Sequence, residues 1–343
     1  MRGIDELKKY PLALWNDSAI ACEMRAAVEM GCRGGTSNPP LILKAARADE
    51  RWADRAVRLR VDHAPGKAAS ILADEIRIAA ARELMPVFEA TNGREGRLCV
   101  QVDPRDHEDP DAMVAQALEL NRLAPNLYIK MPLTAAGLEA MRRALDLGVW
   151  VTATISFTVS QVLTVTKLYA DFIESDSRKD HPGLCAVLMV GRLDDYLRVL
   201  NEQRGINIPE SVVTQAGVAV AKRTHLELRQ RNLPGFLLLA APRGLYHITE
   251  FLEMNAGMTA GPAVRRLAYD SPDLVVPGNA PTDEALEALA SAFPEFHLAY
   301  EPDALAPEQF LSYGATQRTL NEFISAQDGI EQFVCECTER ALA

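Results

Sequence analysis

A chain of 343 residues with 48% hydrophobic and 24% charged residues has the composition of a globular protein with room for a substantial core. Its formal net charge of -11 argues against a surface built for nucleic acid or anionic lipid, since both ask for clustered Lys and Arg, but it leaves open a local basic pocket for a phosphorylated small molecule. No stretch approaches the roughly 20 apolar residues of a membrane helix, and the charged segment Met1 to Tyr10 is followed by no apolar leader region.

In chain order, short apolar runs predict strands at Leu12–Trp15, Cys32–Thr36, Leu98–Val102, Leu127–Met131, Val149–Ile155, Leu184–Val190, Phe236–Ala240 and Leu274–Val276. Amphipathic stretches between them predict helices over Ala68–Ala90, Pro110–Leu123, Ala135–Leu147, Ser160–Ile173, Pro209–Gln230 and Tyr246–Met254. Asp109, Thr134 and Thr158 stand where N-caps belong, and Gly148 and Gly235 sit where helices hand over to strands. Near-continuous apolar strands alternating with helices imply a parallel sheet covered on both faces. Eight such units favour the α/β class as a (β/α)8 TIM barrel, with an open doubly wound sheet as the alternative. Extra length falls in Leu41–Asn92 and in a tail from about Ala304, read as the helices Pro307–Tyr313, Thr316–Ser325 and Gly329–Arg340. Ser175–Asp180 is a polar loop rather than a boundary. Residues 1–343 are therefore expected to form one barrel domain, with 304–343 as a helical extension packed on it.

Cys22, Cys32, Cys99, Cys185, Cys335 and Cys337 are scattered, mostly among apolar neighbours, which suits reduced thiols in a cytoplasm. Cys335-x-Cys337 has no second pair or histidine at zinc spacing, so no metal is expected. There is no HExxH, Walker or nucleophile-elbow pattern, and Gly31 to Gly35 lacks dinucleotide spacing.

Lys130 lies inside the apolar run Leu127-Tyr128-Ile129-Lys130-Met131-Pro132. A buried ammonium is costly unless paired, and burial lowers a lysine pKa toward the neutral, nucleophilic amine that a Schiff-base enzyme needs. The structural alternative is a lysine whose stem packs and whose head reaches water. In a barrel, chemistry sits at the C-terminal strand ends. Those ends carry Asp17 with Ser18, Thr36 with Asn38, Gln101 with Asp103, Lys130, then Thr152, Thr154 and Ser156, and finally Arg192 and Arg243; strand eight ends in Pro277-Gly278-Asn279. Asp17 can serve as acid/base, Asn38 can bind hydroxyls, Thr154 can hold a water, and two arginines suit phosphate. Each also has a plainer reading. Asp17 could cap a helix Ser18–Met30, Asn38 could turn the chain before Pro39-Pro40, and Arg192 could pair with Asp194 or Asp195 at the surface. Asp103-Pro104-Arg105 reads as a structural turn with an ion pair.

Several segments resemble the transaldolase family. Gly34-Gly35-Thr36-Ser37-Asn38-Pro39-Pro40-Leu41-Ile42-Leu43-Lys44 is similar to its T-T-N-P-S-L-I-L-K segment, and Val102-Asp103-Pro104-Arg105 to its strand-three motif. Asn126 to Pro132, with Thr134 and Gly137, resembles its Schiff-base strand. Val190-Gly191-Arg192 matches its V-G-R, and Gly314-Ala315-Thr316-Gln317-Arg318-Thr319-Leu320 resembles a tail motif of the bacterial enzymes. The resemblance implies a (β/α)8 barrel in which Lys130 attacks the C2 carbonyl of a ketose phosphate and passes a dihydroxyacetone unit to an aldose phosphate. It implies Asp17 as acid/base at the C4 hydroxyl, Asn38 as a hydroxyl ligand, Thr154 as holder of the catalytic water, and Arg192 and Arg243 as phosphate ligands. Thr36, Thr152 and Ser156 are further substrate-side candidates. No cofactor is implied, since the iminium is the electron sink, and sugar phosphates are the expected partners. The acidic surface and helical tail permit a homodimer.

Three positions depart from the family pattern. Gln101 replaces a catalytic glutamate, and an amide orients water without relaying a proton; the fructose-6-phosphate aldolase branch has glutamine there. Thr152 replaces an asparagine, and Val187 replaces a serine near the phosphate, leaving open whether Ser18 or Ser156 compensates. Transaldolase of the pentose phosphate type is the first expectation, an aldolase or specialised sugar-pathway enzyme the second, and an inactive binding barrel the third.

Overall fold

The computed structural model describes residues 6–271, 274 and 280–342. Eight parallel strands close into a barrel in chain order: β1 (Ala13–Asp17), β2 (Gly34–Thr36), β3 (Arg97–Gln101), β4 (Leu127–Pro132), β5 (Val151–Thr154), β6 (Leu184–Leu188), β7 (Phe236–Ala240) and β8 (Gly257–Ala260). β8 closes the barrel on β1, with Ala13 opposite Gly257 and Asn16 opposite Ala260. Seven of these strands coincide with the expected apolar runs. The eighth does not: it is Gly257-Met258-Thr259-Ala260, not Leu274–Val276. Leu274 belongs to no strand, and residues 275–279, which include the expected Pro277-Gly278-Asn279 strand end, lie outside the described residues. β8 holds one large apolar side chain, so it has no apolar run to read; its place comes from pairing with β7 and β1.

Asp109, Thr134 and Thr158 cap their helices as expected, Thr158 within a reciprocal capping box with Gln161. Asp17 caps nothing: the next helix, Ala21–Glu29, starts after Ile20. The stretch expected as one helix over Pro209–Gln230 is broken into Glu210–Val213 and Ala216–Gln230. The tail is one helix, Gly314–Leu342, preceded by a single 3-10 turn at Pro307–Gln309. Gly329, which reads as a break, is where Leu43 comes so close that a Cβ would stand 2.8 Å from its Cδ2. The two surplus segments explain each other. Helices Pro39–Ala48, Glu50–Asp62 and Pro65–Ala90 pack on the tail helix around Ile42, Leu59, Leu72, Ile330, Phe333 and Val334, a second core beside that of the barrel.

Alternate strand residues share a face. Tyr128 therefore lies below Lys130, Trp150 below Thr152, and Arg97 below Cys99 and Gln101. Together they form a floor at the N-terminal end of the barrel. Arg97 lies 3.6 Å over the Trp150 ring, Tyr128 meets Trp150 edge-on at 5.3 Å, and Trp15 stacks on Phe236 at 5.4 Å. Gly34 makes room for this layer, since a Cβ there would stand 2.7 Å from the Trp15 ring.

Candidate active site

A cavity of about 240 Å³ opens at the C-terminal end of the strands, lined by Asp17, Thr36, Asn38, Lys130, Arg192 and Arg243 among others. Six of the ten expected site residues thus converge on one space. Lys130 is 4% exposed, and its Nζ donates a long hydrogen bond of 3.4 Å to the Ser37 carbonyl. Burial pushes its pKa below the ordinary lysine value, against the opposing influence of Cys99, Asp17 and Cys185; Arg192 adds to the lowering. The amine ends inside the cavity rather than at the outer surface of the protein, which is not where a snorkelling head would sit.

Asp17, at the end of β1, is half-buried and shifts the other way. Burial raises its pKa, while the Thr36 hydroxyl and the charges of Lys130, Arg192 and Arg243 restrain the rise. The Thr36 Oγ1 donates to Asp17 Oδ1 at 2.6 Å and meets Thr259 Oγ1 at 2.6 Å. Since the Thr36 proton goes to the carboxylate, Thr259 is the donor to Thr36. Thr259 lies on the strand that the sequence hid, so it was missed with it. One cavity thus holds an amine shifted down and a carboxyl shifted up, the kind of opposed pair that marks a candidate site for nucleophilic and proton-transfer chemistry.

Asn38 does two things. Its Oδ1 caps helix Pro39–Ala48 by accepting from the Leu41 N–H at 3.0 Å, and the residue also lines the cavity. Arg192 lies in the first turn of helix Val190–Arg204, not at the end of β6. It grips Glu322 of the tail helix with both terminal nitrogens, at 2.5 and 2.8 Å, rather than Asp194 or Asp195. Arg243, in the turn after β7, holds Asp195 Oδ2 through Nε (2.9 Å) and Nη2 (2.5 Å). Arg105 holds Asp103 at 2.6 Å and reaches Glu331 of the tail helix at 2.8 Å, the structural ion pair expected there.

The model of the Transaldolase/Fructose-6-phosphate aldolase family matches residues 14–323. The chain belongs to this family. Transaldolase 1 of Streptomyces avermitilis is 32% identical over 200 residues, 55% of this chain and 52% of the relative. The transaldolase of Mycobacterium leprae is 32% identical over 197 residues, again 55% and 52%, and that of Mycobacterium tuberculosis 29% over 205, 57% and 55%. The chain spans about half the length of these relatives in the match.

The geometry gives content to the chain's departures from the family pattern. Gln101 and Thr152 flank Lys130 in register on β3 and β5. Gln101 is 1% exposed, and neither Oε1 nor Nε2 has a hydrogen-bond partner among the described residues; nor does the fully buried Thr154 Oγ1. Buried polar atoms are rarely left so; Gln101 stands opposite Lys130 in register, and Thr154 opposite Pro132. The next residue, Ile155, is held at φ +58°, a strained conformation for a β-branched side chain. Thr152 instead donates to Cys99 Sγ at 3.3 Å beneath the lysine, where burial pushes the Cys185 thiol well up. Ser156 donates to the Val187 carbonyl, and Ser18 donates to Glu23 Oε2 at 2.5 Å. Neither hydroxyl stands in for the one that Val187 lacks. Thr152, Ser156, Gln101 and Thr154 are not among the residues that line the cavity.

Proposed function

We propose that the protein is a Schiff-base enzyme of transaldolase type, which moves a dihydroxyacetone unit from a ketose phosphate to an aldose phosphate. The observation that carries this reading is the buried Lys130 amine sharing one cavity with Asp17 and two arginines. Neutral Lys130 attacks the C2 carbonyl, and loss of water gives an iminium. As the C3–C4 bond breaks, the Asp17 carboxylate takes the C4 hydroxyl proton, the bonding electrons flow into the iminium to give an enamine, and an aldose phosphate leaves. A second aldose phosphate is attacked at its aldehyde by the enamine carbon, and Asp17 returns the proton to the new alkoxide. Water then releases the new ketose phosphate. Gln101 and Thr154 orient that water, Thr36 and Thr259 hold the Asp17 carboxylate, Asn38 binds substrate hydroxyls, and Arg192 and Arg243 take the phosphate. The six free thiols suit a reducing cytoplasm.

The test is intact-mass spectrometry after incubation with fructose 6-phosphate and borohydride, with and without erythrose 4-phosphate. A dihydroxyacetone adduct on Lys130, depleted by the acceptor, is the expected result. No adduct with a panel of ketoses would overturn the reading and favour a binding barrel. A second reading, aldol cleavage with release of free dihydroxyacetone, is favoured by Gln101, whose amide cannot carry a proton; an adduct indifferent to the acceptor would support it.

A further inference from the structure

Behind Arg243 lies a buried polar cluster that the chemistry above does not use. The chain leaves β7 through a tight turn in which Ala241 stands at φ +59°, a strained conformation that neighbours must hold in place. Helix Val190–Arg204 presses on this turn from one side, for a Cβ at Gly191 would stand 2.1 Å from the Ala241 carbonyl oxygen. From the other side His247, fully buried in helix Leu245–Phe251, accepts the Arg243 backbone N–H on Nδ1 at 3.0 Å. A ring nitrogen that accepts carries no proton, so the single proton of the imidazole is on Nε2. Nε2 faces Asp194 Oδ2 at 3.2 Å, off the N–H axis, as an electrostatic contact rather than an aligned hydrogen bond.

Asp194 is itself fully buried. Its Oδ1 accepts the Gly217 N–H at 2.8 Å and its Oδ2 accepts the Tyr246 hydroxyl at 3.2 Å. A carboxylate removed from water is costly, and an apolar residue would fill the same space more cheaply. What this arrangement does is fix both ends of Arg243: the guanidinium rests on Asp195, and the backbone is tied through His247 to Asp194, the neighbouring residue of the same helix.

We infer that His247 and Asp194 are positioning residues for Arg243 and set the preference of the site for phosphorylated sugars. The inference rests on the reading of Arg243 as a phosphate ligand. Displacing a positioning group by about 1 Å can lower a rate on the order of a hundredfold, so loss of the His247 tie is expected to weaken phosphate recognition by about tenfold or more.

The experiment uses the full chain and two probes: binding of inorganic phosphate by calorimetry, which needs no turnover, and the KM and kcat for fructose 6-phosphate. His247→Leu removes the acceptor, whereas His247→Asn offers Oδ1 in the place of Nδ1. Weaker phosphate binding and a higher KM in His247→Leu, with a much smaller change in kcat and recovery in His247→Asn, is the expected result. Wild-type phosphate affinity in a folded His247→Leu, equal losses in both variants, or a fall in kcat with KM unchanged would overturn it. If His247→Leu does not fold, Asp194→Asn decides by the same phosphate measurement. A wild-type protein that binds no phosphate overturns the inference outright. Failure of the Schiff-base reading shows separately, as absence of the borohydride adduct.

Discussion

Lys130→Met is expected to give a more stable protein that forms no adduct. The side chain is 4% exposed, and its amine makes one long hydrogen bond to a backbone carbonyl. Methionine has nearly the same reach and no charge. Exchanging a buried charge for an apolar side chain of similar volume is neutral or stabilising by roughly 1–4 kcal/mol. An unfolding entropy of about 2.1 cal/mol/K per residue, taken over 343 residues, comes to about 0.7 kcal/mol/K. A gain of roughly 1–4 kcal/mol then raises Tm by about 1.5–5.5 °C. The gain depends on pH in a definite direction. Burial holds the native pKa of Lys130 below its ordinary value, so across the interval between the two the unfolded chain binds a proton that the native state has lost. Wild-type stability therefore rises with pH through that interval. The gap between variant and wild type is widest below the depressed pKa and closes toward the ordinary lysine value of about 10.4. Thermal melts of both proteins across this range measure it. A variant that melts below the wild type at neutral pH, or a gap that does not narrow as pH rises, would refute the claim that Lys130 is held desolvated.

Asp17→Asn is expected to lower turnover by about 10²- to 10⁴-fold, the usual worth of a positioned acid/base. Its native pKa is raised, so the stabilisation it gives when protonated is lost as pH climbs from the ordinary carboxylate value through the raised one; paired melts should find that slope in the wild type and not in the variant. Gln101→Glu should increase transfer to aldose acceptors relative to release of free dihydroxyacetone, and an unchanged product ratio by chromatography would show that the amide does not limit proton relay. Gly34→Ala should destabilise the barrel floor by about 1–3 kcal/mol through overpacking against Trp15. Denaturant melts should find most of that loss recovered when Trp15→Leu is added.

The parallel barrel was legible because seven strands lie in or beside apolar runs, whereas β8, though equally buried, carries glycine, threonine and alanine around its one methionine and is defined by its neighbours. Lys130 was legible for the opposite reason: a charge stands out inside an apolar run. The groups around it were less so. Asn38 was read as a turn or as a ligand, and the structure gives it a cap and a place in the cavity at once. The partner of Arg192 lies 130 residues further on, in a tail helix that only folding brings to the barrel mouth. His247 sits in a short amphipathic stretch and announces nothing until the turn after β7 is seen to rest on it.

The aromatic and arginine floor under the lysine makes the barrel a vessel with a base. Trp15, Phe236, Tyr128, Trp150 and Arg97 pack together at the N-terminal end, so the cavity that holds the Lys130 amine opens at the opposite mouth. If the proposed transfer takes place, a departing fragment and an incoming one would have to take turns in a space of about 240 Å³. In the proposed reaction the same mouth would also admit the water that ends the cycle, so an acceptor seated there would delay hydrolysis of the fragment held on the amine.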